Sequence, residues 1–280
     1  MHIPAGQDPS TDSLQTIARE FNLSESVFLY LNDAAEQATV PEWRARIFMT
    51  DAELPFAGHP TIGTACHALG SLASGAPKGR LHVPAGTVEV DFADGVAKAS
   101  IPHNIHLHTE TPFSGAELEA LQPRLQGKGV RGIDVVSPVR GMNFVCVELE
   151  DLETLGLVKC TGKRPGVKLD GAWDVGFVGA LFYVKTGEED GGKRVIVRTR
   201  MIEGVMEDPA TGSAACGLGA FLSLRRGVKQ VAYEITQAVE MGRQSDIGVT
   251  VTLNDALDAV EKLELSGSSV KVMEGKVECD

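Results

Sequence analysis

Three observations predict an α+β fold of two related halves, each a set of strands around one notable helix. First, His59-Pro60-Thr61-Ile62-Gly63-Thr64-Ala65-Cys66-His67-Ala68-Leu69-Gly70 lies without a gap on Asp208-Pro209-Ala210-Thr211-Gly212-Ser213-Ala214-Ala215-Cys216-Gly217-Leu218-Gly219 after a shift of 149 positions. Repetition of this kind carries architecture. Second, short alternating apolar and polar runs outnumber helix-like segments on both sides of the repeat. Third, strands and helices do not alternate regularly, which sets the chain apart from a doubly wound parallel sheet.

From the N-terminus, residues 1–11 read as a loose start with Pro4, Gly6 and Pro9. Asp12 or Ser13 can cap a helix whose apolar face is Leu14, Ile17, Ala18 and Phe21, with Asn22 as its stop. Glu25 then heads a strand running to Leu31, and Arg44–Met49 forms another. After Pro60 a helix buries Ile62, Ala65, Cys66 and Leu69, and Gly70 ends it. Leu81–Val83, Thr87–Phe92 and Val96–Ile101 alternate as strands, and Asp94-Gly95 is a hairpin signal. Residues 102–116, rich in His, Thr and Pro, read as a crossing between the halves. The predicted order continues with a helix over 115–125, strands at 133–136 and 143–147, a helical stretch near 151–157, an apolar run over 172–185 and a strand at 195–202. Glu188-Glu189-Asp190 reads as a solvated hairpin turn. The second repeat opens a helix from about Ala210, with Arg225 and Arg226 favoured by the dipole at its end and Gly227 as the C′ residue. The tail reads as strands at 234–237, 247–253, 263–265 and 270–273, with a last one at Val277. The expected division is an N-terminal lobe over 1–105 and a C-terminal lobe over 106–280, its last strand free to return to the first.

Composition narrows the function. The 280 residues are 43% hydrophobic and 23% charged, which allows a full core and argues against wholesale disorder. A net charge of −12 disfavours nucleic acid and anionic membranes as partners, and 5% aromatic content gives no base-stacking platform. Cys66, Cys146, Cys160, Cys216 and Cys279 are widely spaced and odd in number, so neither a disulfide framework nor a zinc motif is expected. No apolar run approaches a membrane span and no signal pattern opens the chain, so a cytoplasmic location is the default expectation.

The two repeats carry the chemistry. A helix N-terminus offers unpaired N–H donors and a partial positive charge, so two of them facing one cleft would hold an anion, most simply a carboxylate. Gly63, Thr64, Gly212 and Ser213 let a ligand approach the backbone, and the two hydroxyls add donors. His59 and Asp208 precede the two helices and would flank that ligand, and a carboxylate beside an imidazole suits proton abstraction and return. No GxGxxG, Walker or HExxH pattern is present, so no cofactor is expected. Cys66 and Cys216 lie too far along their helices to be activated by the dipole and read as buried core thiols. His106 and His108, near His103, would share a strand face, but no local Cys, Asp or Glu completes a ligand set and no metal is expected.

Four segments, in order, resemble the PhzF-like family, the relatives of the phenazine-biosynthesis isomerase. They are Asn22-Leu23-Ser24-Glu25-Ser26, Phe56-Ala57-Gly58-His59-Pro60-Thr61, Glu207-Asp208-Pro209-Ala210-Thr211-Gly212-Ser213-Ala214 and Met241-Gly242-Arg243-Gln244-Ser245. The resemblance implies a diaminopimelate-epimerase-like fold: two pseudo-symmetric lobes, each a barrel-like sheet around a central helix, with the active site between them. It implies that Glu25 is the proton-shuttling acid/base, that His59 and Asp208 assist or orient, and that Gly58, Gly212 and Ser213 contact the ligand. The helix starts at Thr61–Thr64, with Gly63, and at Ala210–Ser213, with Thr211, would hold its carboxylate. The implied function is a cofactor-independent isomerase of a small carboxylate-bearing metabolite. A PLP-independent epimerase or racemase and a non-catalytic binding protein are the alternatives, and a homodimer is what the family suggests. Two departures stand out. Met1-His2-Ile3-Pro4-Ala5-Gly6 stands where the family opens with a strand and a Gly-Asn-Pro turn, which predicts a bare edge on the first sheet, and Ala238 follows Gln237 where the family has Gly.

Overall fold

The computed structural model describes residues 1–32, 38–109 and 113–277. Cys279 and part of the 102–116 crossing lie outside the described residues. The chain packs as two units: residues 1–56, 60–99 and 266 onward form one, and 57–59 with 100–265 form the other.

The first unit contains β1 (His2–Ile3), α1 (Thr11–Phe21), β2 (Ser26–Tyr30), β3 (Glu42–Phe48), β4 (Glu53–Leu54), most of α2 (Gly58–His67) with the π-helical turn Ala68–Leu72, β5 (Lys78–Val83), β6 (Gly86–Ala93) and β7 (Val96–Ser100). Its sheet order is β1-β2-β3-β5-β6-β7, with β4 paired to β3. α1 covers β2 and β3, where Leu14 and Ala18 meet Ile3, Phe28 and Phe48. The predicted apolar face holds for Leu14, Ile17 and Ala18 but not for Phe21, which is 45% exposed. Phe21 is the last helical residue, and Asn22 at φ 49 turns the chain away directly after it. The N-cap is Ser10, accepting from Ser13 N–H at 3.1 Å, rather than Asp12 or Ser13. Asp94 (φ 52) and Gly95 (φ 79) make the two-residue β6–β7 turn that their sequence signals.

The bare edge expected at the start of this sheet is corrected. His2 and Ile3 pair in parallel with Leu29 and Tyr30, and Leu31 N–H donates to Ile3 O at 2.9 Å. Two residues of strand therefore cover the C-terminal end of β2.

The second unit contains β8 (His106–Leu107), α3 (Gly115–Leu121), β9 (Val130–Val139), β10 (Met142–Leu149), α4 (Leu152–Gly156), β11 (Phe177–Glu189), β12 (Arg194–Glu203), β13 (Met206–Asp208), α5 (Gly212–Arg226), β14 (Gln230–Gln237), β15 (Ser245–Leu253) and the first residues of β16 (Val260–Ser268). Its order is β8-β9-β10-β11-β12-β14-β15-β16, with β13 paired to β12. α5 is buried on nearly every side, as its unbroken run of small and apolar residues requires. It touches β9 and β10 as well as β14 and β15, strands from opposite ends of the sheet order, so the sheet curls round it. A Cβ on Gly217 would meet Val136 of β9 at 3.3 Å, and one on Gly219 would meet Val249 of β15 at 3.0 Å. The other face of this sheet buries Val135, Val145, Val147, Phe182 and Ile202 against Leu118 and Leu121 of α3 and Leu155 of α4.

Three further expectations are corrected. The helix expected over 115–125 ends at Leu121 and resumes as a 3₁₀ turn at Pro123, which cannot supply the next N–H. α5 starts at Gly212, not Ala210. Residues 270–273 and 277 form no strand, and Val270 and Val272 are 85% and 82% exposed.

Candidate active site

The two repeats are delivered by the same device. β3 and β4 form a small antiparallel pair, and Arg46 on β3 grips Glu53 on β4 through both carboxylate oxygens, at 2.8 and 2.6 Å. β12 and β13 form the matching pair, and Arg200 grips Glu207 at 2.8 and 2.6 Å. The second clamp is the drier: its side chains are 4% and 8% exposed, and Arg200 also donates to the carbonyls of Leu155 and Val158. Burial opposes the charge on Arg200 and Glu207 more than restores it, so its pKa stays above the ordinary value. Each clamp fixes the strand pair from which the chain runs to its helix.

Beyond Glu207 the chain makes a closed network. Asp208 Oδ1 accepts from Ala210 N–H at 3.3 Å, and Asp208 Oδ2 accepts from the Thr211 hydroxyl at 2.6 Å. This is the local turn that Asp favours. Gln237, fully buried at the end of β14, donates to Asp208 O at 2.8 Å and to Thr211 Oγ1 at 3.0 Å. Thr211 is the N-cap residue of α5, yet its hydroxyl is spent on this network and makes no cap hydrogen bond. The first-turn N–H groups at Gly212 and Ser213 thus have no side-chain cap from Thr211, and Ser213 stays half-buried at the helix start.

The Ala57–His59 segment packs on the same terminus. A Cβ on Gly212 would lie 2.8 Å from Leu265 Cδ2 and 3.4 Å from His59 N; one on Gly58 would lie 3.0 Å from Leu265 Cδ2 and 3.5 Å from Gly212 Cα. Glycine at both positions lets the two backbones approach without displacing the Leu265 side chain. The structure therefore gathers Gly58, His59, Asp208, Thr211, Gly212 and Ser213 in the second unit. His59 does not precede its helix as expected: α2 starts at Gly58, so His59 rides half-buried in the first turn.

Glu25, Thr61, Gly63 and Thr64 belong to the first unit. Glu25 stands between Asn22 and β2, half-buried with Oε2 shielded from solvent. Thr61 is buried at 2% exposure, whereas Gly63 and Thr64 are half-buried and a Cβ on Gly63 would meet nothing within 4 Å. Cys66 and Cys216 are both buried without a disulfide, and burial pushes the Cys216 thiol up to about 12. Sequence reasoning passed over Gln237 and the two Arg–Glu clamps. The clamps leave a signal, Arg-x-Arg with Glu seven residues after the second Arg, at Arg44, Arg46, Glu53 and again at Arg198, Arg200, Glu207.

Residues 3–275 match the family model described as phenazine biosynthesis-like protein. The chain belongs to this family. It is 33% identical over 285 residues to trans-2,3-dihydro-3-hydroxyanthranilate isomerase of Pseudomonas aeruginosa, covering 96% of this chain and 89% of the relative. It is 32% identical over 283 residues to an uncharacterized isomerase of Mesorhizobium japonicum, covering 95% and 89%. Among solved structures it resembles the Bacillus anthracis phenazine biosynthesis protein of the PhzF family, with a TM-score of 0.72 at 19% identity over 97% of this chain and 90% of that one. A probable proline racemase of Agrobacterium radiobacter shares the fold at a TM-score of 0.55 and 15% identity, over 98% of this chain and 83% of that one. The fold is the expected α+β, epimerase-like one, and the chain is an isomerase. No helix among the described residues is long and apolar enough to cross a membrane.

Proposed function

We propose that this isomerase moves a proton within a small, carboxylate-bearing metabolite without a cofactor, with Glu25 as the acid/base. The Glu25 carboxylate takes a proton from carbon, the electron pair passes into the adjoining conjugated system, and the Glu25 carboxylic acid returns the proton to a different carbon. Composition of the substrate is unchanged and Glu25 is regenerated. The Gly212–Ser213 helix start accepts the substrate carboxylate through its N–H groups, with the Ser213 hydroxyl as a further donor. His59 and Asp208 orient the ligand, and Thr61, Gly63 and Thr64 extend the binding surface along α2.

The observation that carries this reading is the α5 terminus. Its N-cap hydroxyl is turned away to Asp208 and Gln237, which leaves the first-turn donors for a ligand. Buried thiols at Cys66 and Cys216 fit poorly with a cysteine-based racemase, which needs an accessible thiolate. A cyclic dihydro-hydroxy amino acid of the kind named for the Pseudomonas aeruginosa relative is the first substrate to test. We also read the enzyme as a cytoplasmic homodimer, which sedimentation of the purified chain tests for oligomeric state.

The deciding experiment is incubation with trans-2,3-dihydro-3-hydroxyanthranilate, and with acyclic hydroxy and amino acids, in deuterated water, read by mass spectrometry. The wild type should give an isomer carrying solvent deuterium. Glu25→Gln should lower turnover by roughly 10²–10⁴-fold with the fold intact. Full turnover in that variant sinks the assignment of Glu25.

A further inference from the structure

The second unit gathers a cluster that the isomerase reading does not use. His106 and His108 flank Leu107 at β8, which pairs with β9 through His106↔Ser137 and Leu107↔Val136. Asp170, more than sixty residues away in sequence, closes the group: its Oδ2 lies 3.1 Å from His106 Nε2 and its Oδ1 lies 3.6 Å from His108 Nδ1. One ligand atom from each of the three residues can be chosen so that all lie within 4.8 Å of one another. His103, the third histidine of the stretch, is not among them.

We propose that His106 Nε2, His108 Nδ1 and the Asp170 carboxylate bind one divalent transition-metal ion of the zinc class. Bonds of about 2.0–2.1 Å to nitrogen and oxygen set neighbouring ligand atoms of a tetrahedron about 3.3–3.4 Å apart. The separations of 3.1 and 3.6 Å, one to each Asp170 oxygen, bracket that edge, and the three chosen ligand atoms lie within 4.8 Å of one another, close enough to draw in on one ion. Two imidazoles with one carboxylate select a transition metal over Mg²⁺ or Ca²⁺, which prefer oxygen. His106 keeps its side chain 31% exposed, so a water can complete the shell from that side.

The surroundings hold both rings in the orientation that coordination needs. The Asp170 backbone N–H can only donate, and it points at His108 Nδ1 from 3.2 Å, so that nitrogen carries a lone pair. The ring hydrogen therefore sits on Nε2, which donates to Ser137 Oγ at 2.7 Å. Ser137 donates onward to Asn143 Oδ1, and Asn143 is anchored by donating to the Val175 and Phe177 carbonyls at 2.9 and 2.8 Å. Ser137 and Asn143 are fully buried. A ligating histidine whose other nitrogen donates to a fixed oxygen is the usual outer arrangement of a metal site. His106 is stacked on Trp173 at 4.6 Å between centroids and 7° between planes, which fixes its ring as well. An arriving ion takes the His108 lone pair from the Asp170 N–H and a carboxylate oxygen from His106.

This cluster lies on the face of β9 opposite α5. Val136 and Pro138 face α5 at Gly217, and Ser137 between them points to the opposite face of the sheet. The metal is accordingly proposed as a clip between the β8 segment and the Asp170 segment, with Ser137 of β9 holding the His108 ring.

The test is calorimetric titration of chelator-treated, dialysed protein with zinc chloride, together with the visible spectrum after addition of Co²⁺. One equivalent of zinc should bind, the melting midpoint should rise, and Co²⁺ should give the d–d absorption of a low-coordinate site. His106→Ala and Asp170→Asn should each abolish the stoichiometric binding while the apo proteins melt cooperatively. Ser137→Ala should weaken it by roughly 10–100-fold, and His103→Ala should leave it unchanged. Absence of stoichiometric binding by the wild type overturns the proposal. So does binding that survives both His106→Ala and Asp170→Asn, or binding lost in His103→Ala.

Discussion

The two strand-pair-to-helix connections differ by five residues, and that difference gives them separate chemistry. In the first, Arg46 and Glu53 clamp β3 to β4, and seven positions separate Glu53 from Pro60. In the second, Arg200 and Glu207 clamp β12 to β13, and two positions separate Glu207 from Pro209. The longer connection lets α2 begin at Gly58, ahead of its proline, and carries His59 into the first helical turn. The shorter one forces Asp208 into a tight turn, and α5 begins only at Gly212. A common scaffold thus presents an imidazole on a helix in one copy and a locked carboxylate beside N–H donors that Thr211 does not cap in the other.

The scaffold itself repeats more widely than the motif. In the first unit β2 pairs antiparallel with β3, which pairs in parallel with β5 and carries β4; in the second β11 pairs antiparallel with β12, which pairs in parallel with β14 and carries β13. β1 lies parallel to β2 as β10 lies parallel to β11, but with two residues in place of eight. The β8–β9 pair, which carries the His106 cluster, has no counterpart among the described strands of the first unit.

The largest expected effect contrasts the two clamps. Glu207→Gln leaves the Arg200 guanidinium charged, 4% exposed and without its carboxylate, which should cost about 3–5 kcal/mol. Glu53→Gln acts on a wetter pair, 12% and 26% exposed, and should cost about 1 kcal/mol. Urea melts of the two variants measure both. Equal losses, or a larger one at Glu53, would break the view that the second connection is the more rigidly built.

Much of this was legible because it is local. The α1 face through Ala18, the Asp94-Gly95 turn and Gly227 at the end of α5 (φ 62, its N–H on Ser223 O at 3.0 Å) all follow from neighbours in sequence. The clamps escaped because they recur at a shift of 154 positions, not the 149 of the motif. An ungapped comparison sees one shift at a time. Asp170 escaped because no local search for ligands reaches from His106 across two strands, α3 and α4. Phe21 and the 270–277 tail were misjudged for the opposite reason: their apolar patterns are correct, but their apolar side chains stay exposed. Ala238 is the converse case. It sits at φ 63, where glycine is at ease and an alanine is strained, so its departure from the family pattern has a backbone meaning. The roles of Glu25 and Ser213 rest on resemblance, since composition and spacing do not distinguish a proton-moving carboxylate from a solvated one.

Gly212 and Gly63 occupy the same place in the repeat, and substituting each by alanine separates packing from ligand access. Gly212→Ala drives a Cβ to 2.8 Å from Leu265 Cδ2, so the Leu265 side chain must give way, while the His59 nitrogen at 3.4 Å is at the edge of ordinary contact. A loss of about 1 kcal/mol is expected, with turnover falling alongside it as the added methyl crowds the helix start. Gly63→Ala places its methyl in open space inside a helix, where alanine outranks glycine, so stability should rise by about 0.5–1 kcal/mol. If that open space receives substrate, KM rises even though the protein is more stable. A thermal melt and a KM measurement on the same preparation distinguish the cases. Unchanged KM with the stability gain would mean that Gly63 is vacant helix surface, and that only the second copy of the motif kept a glycine for contact.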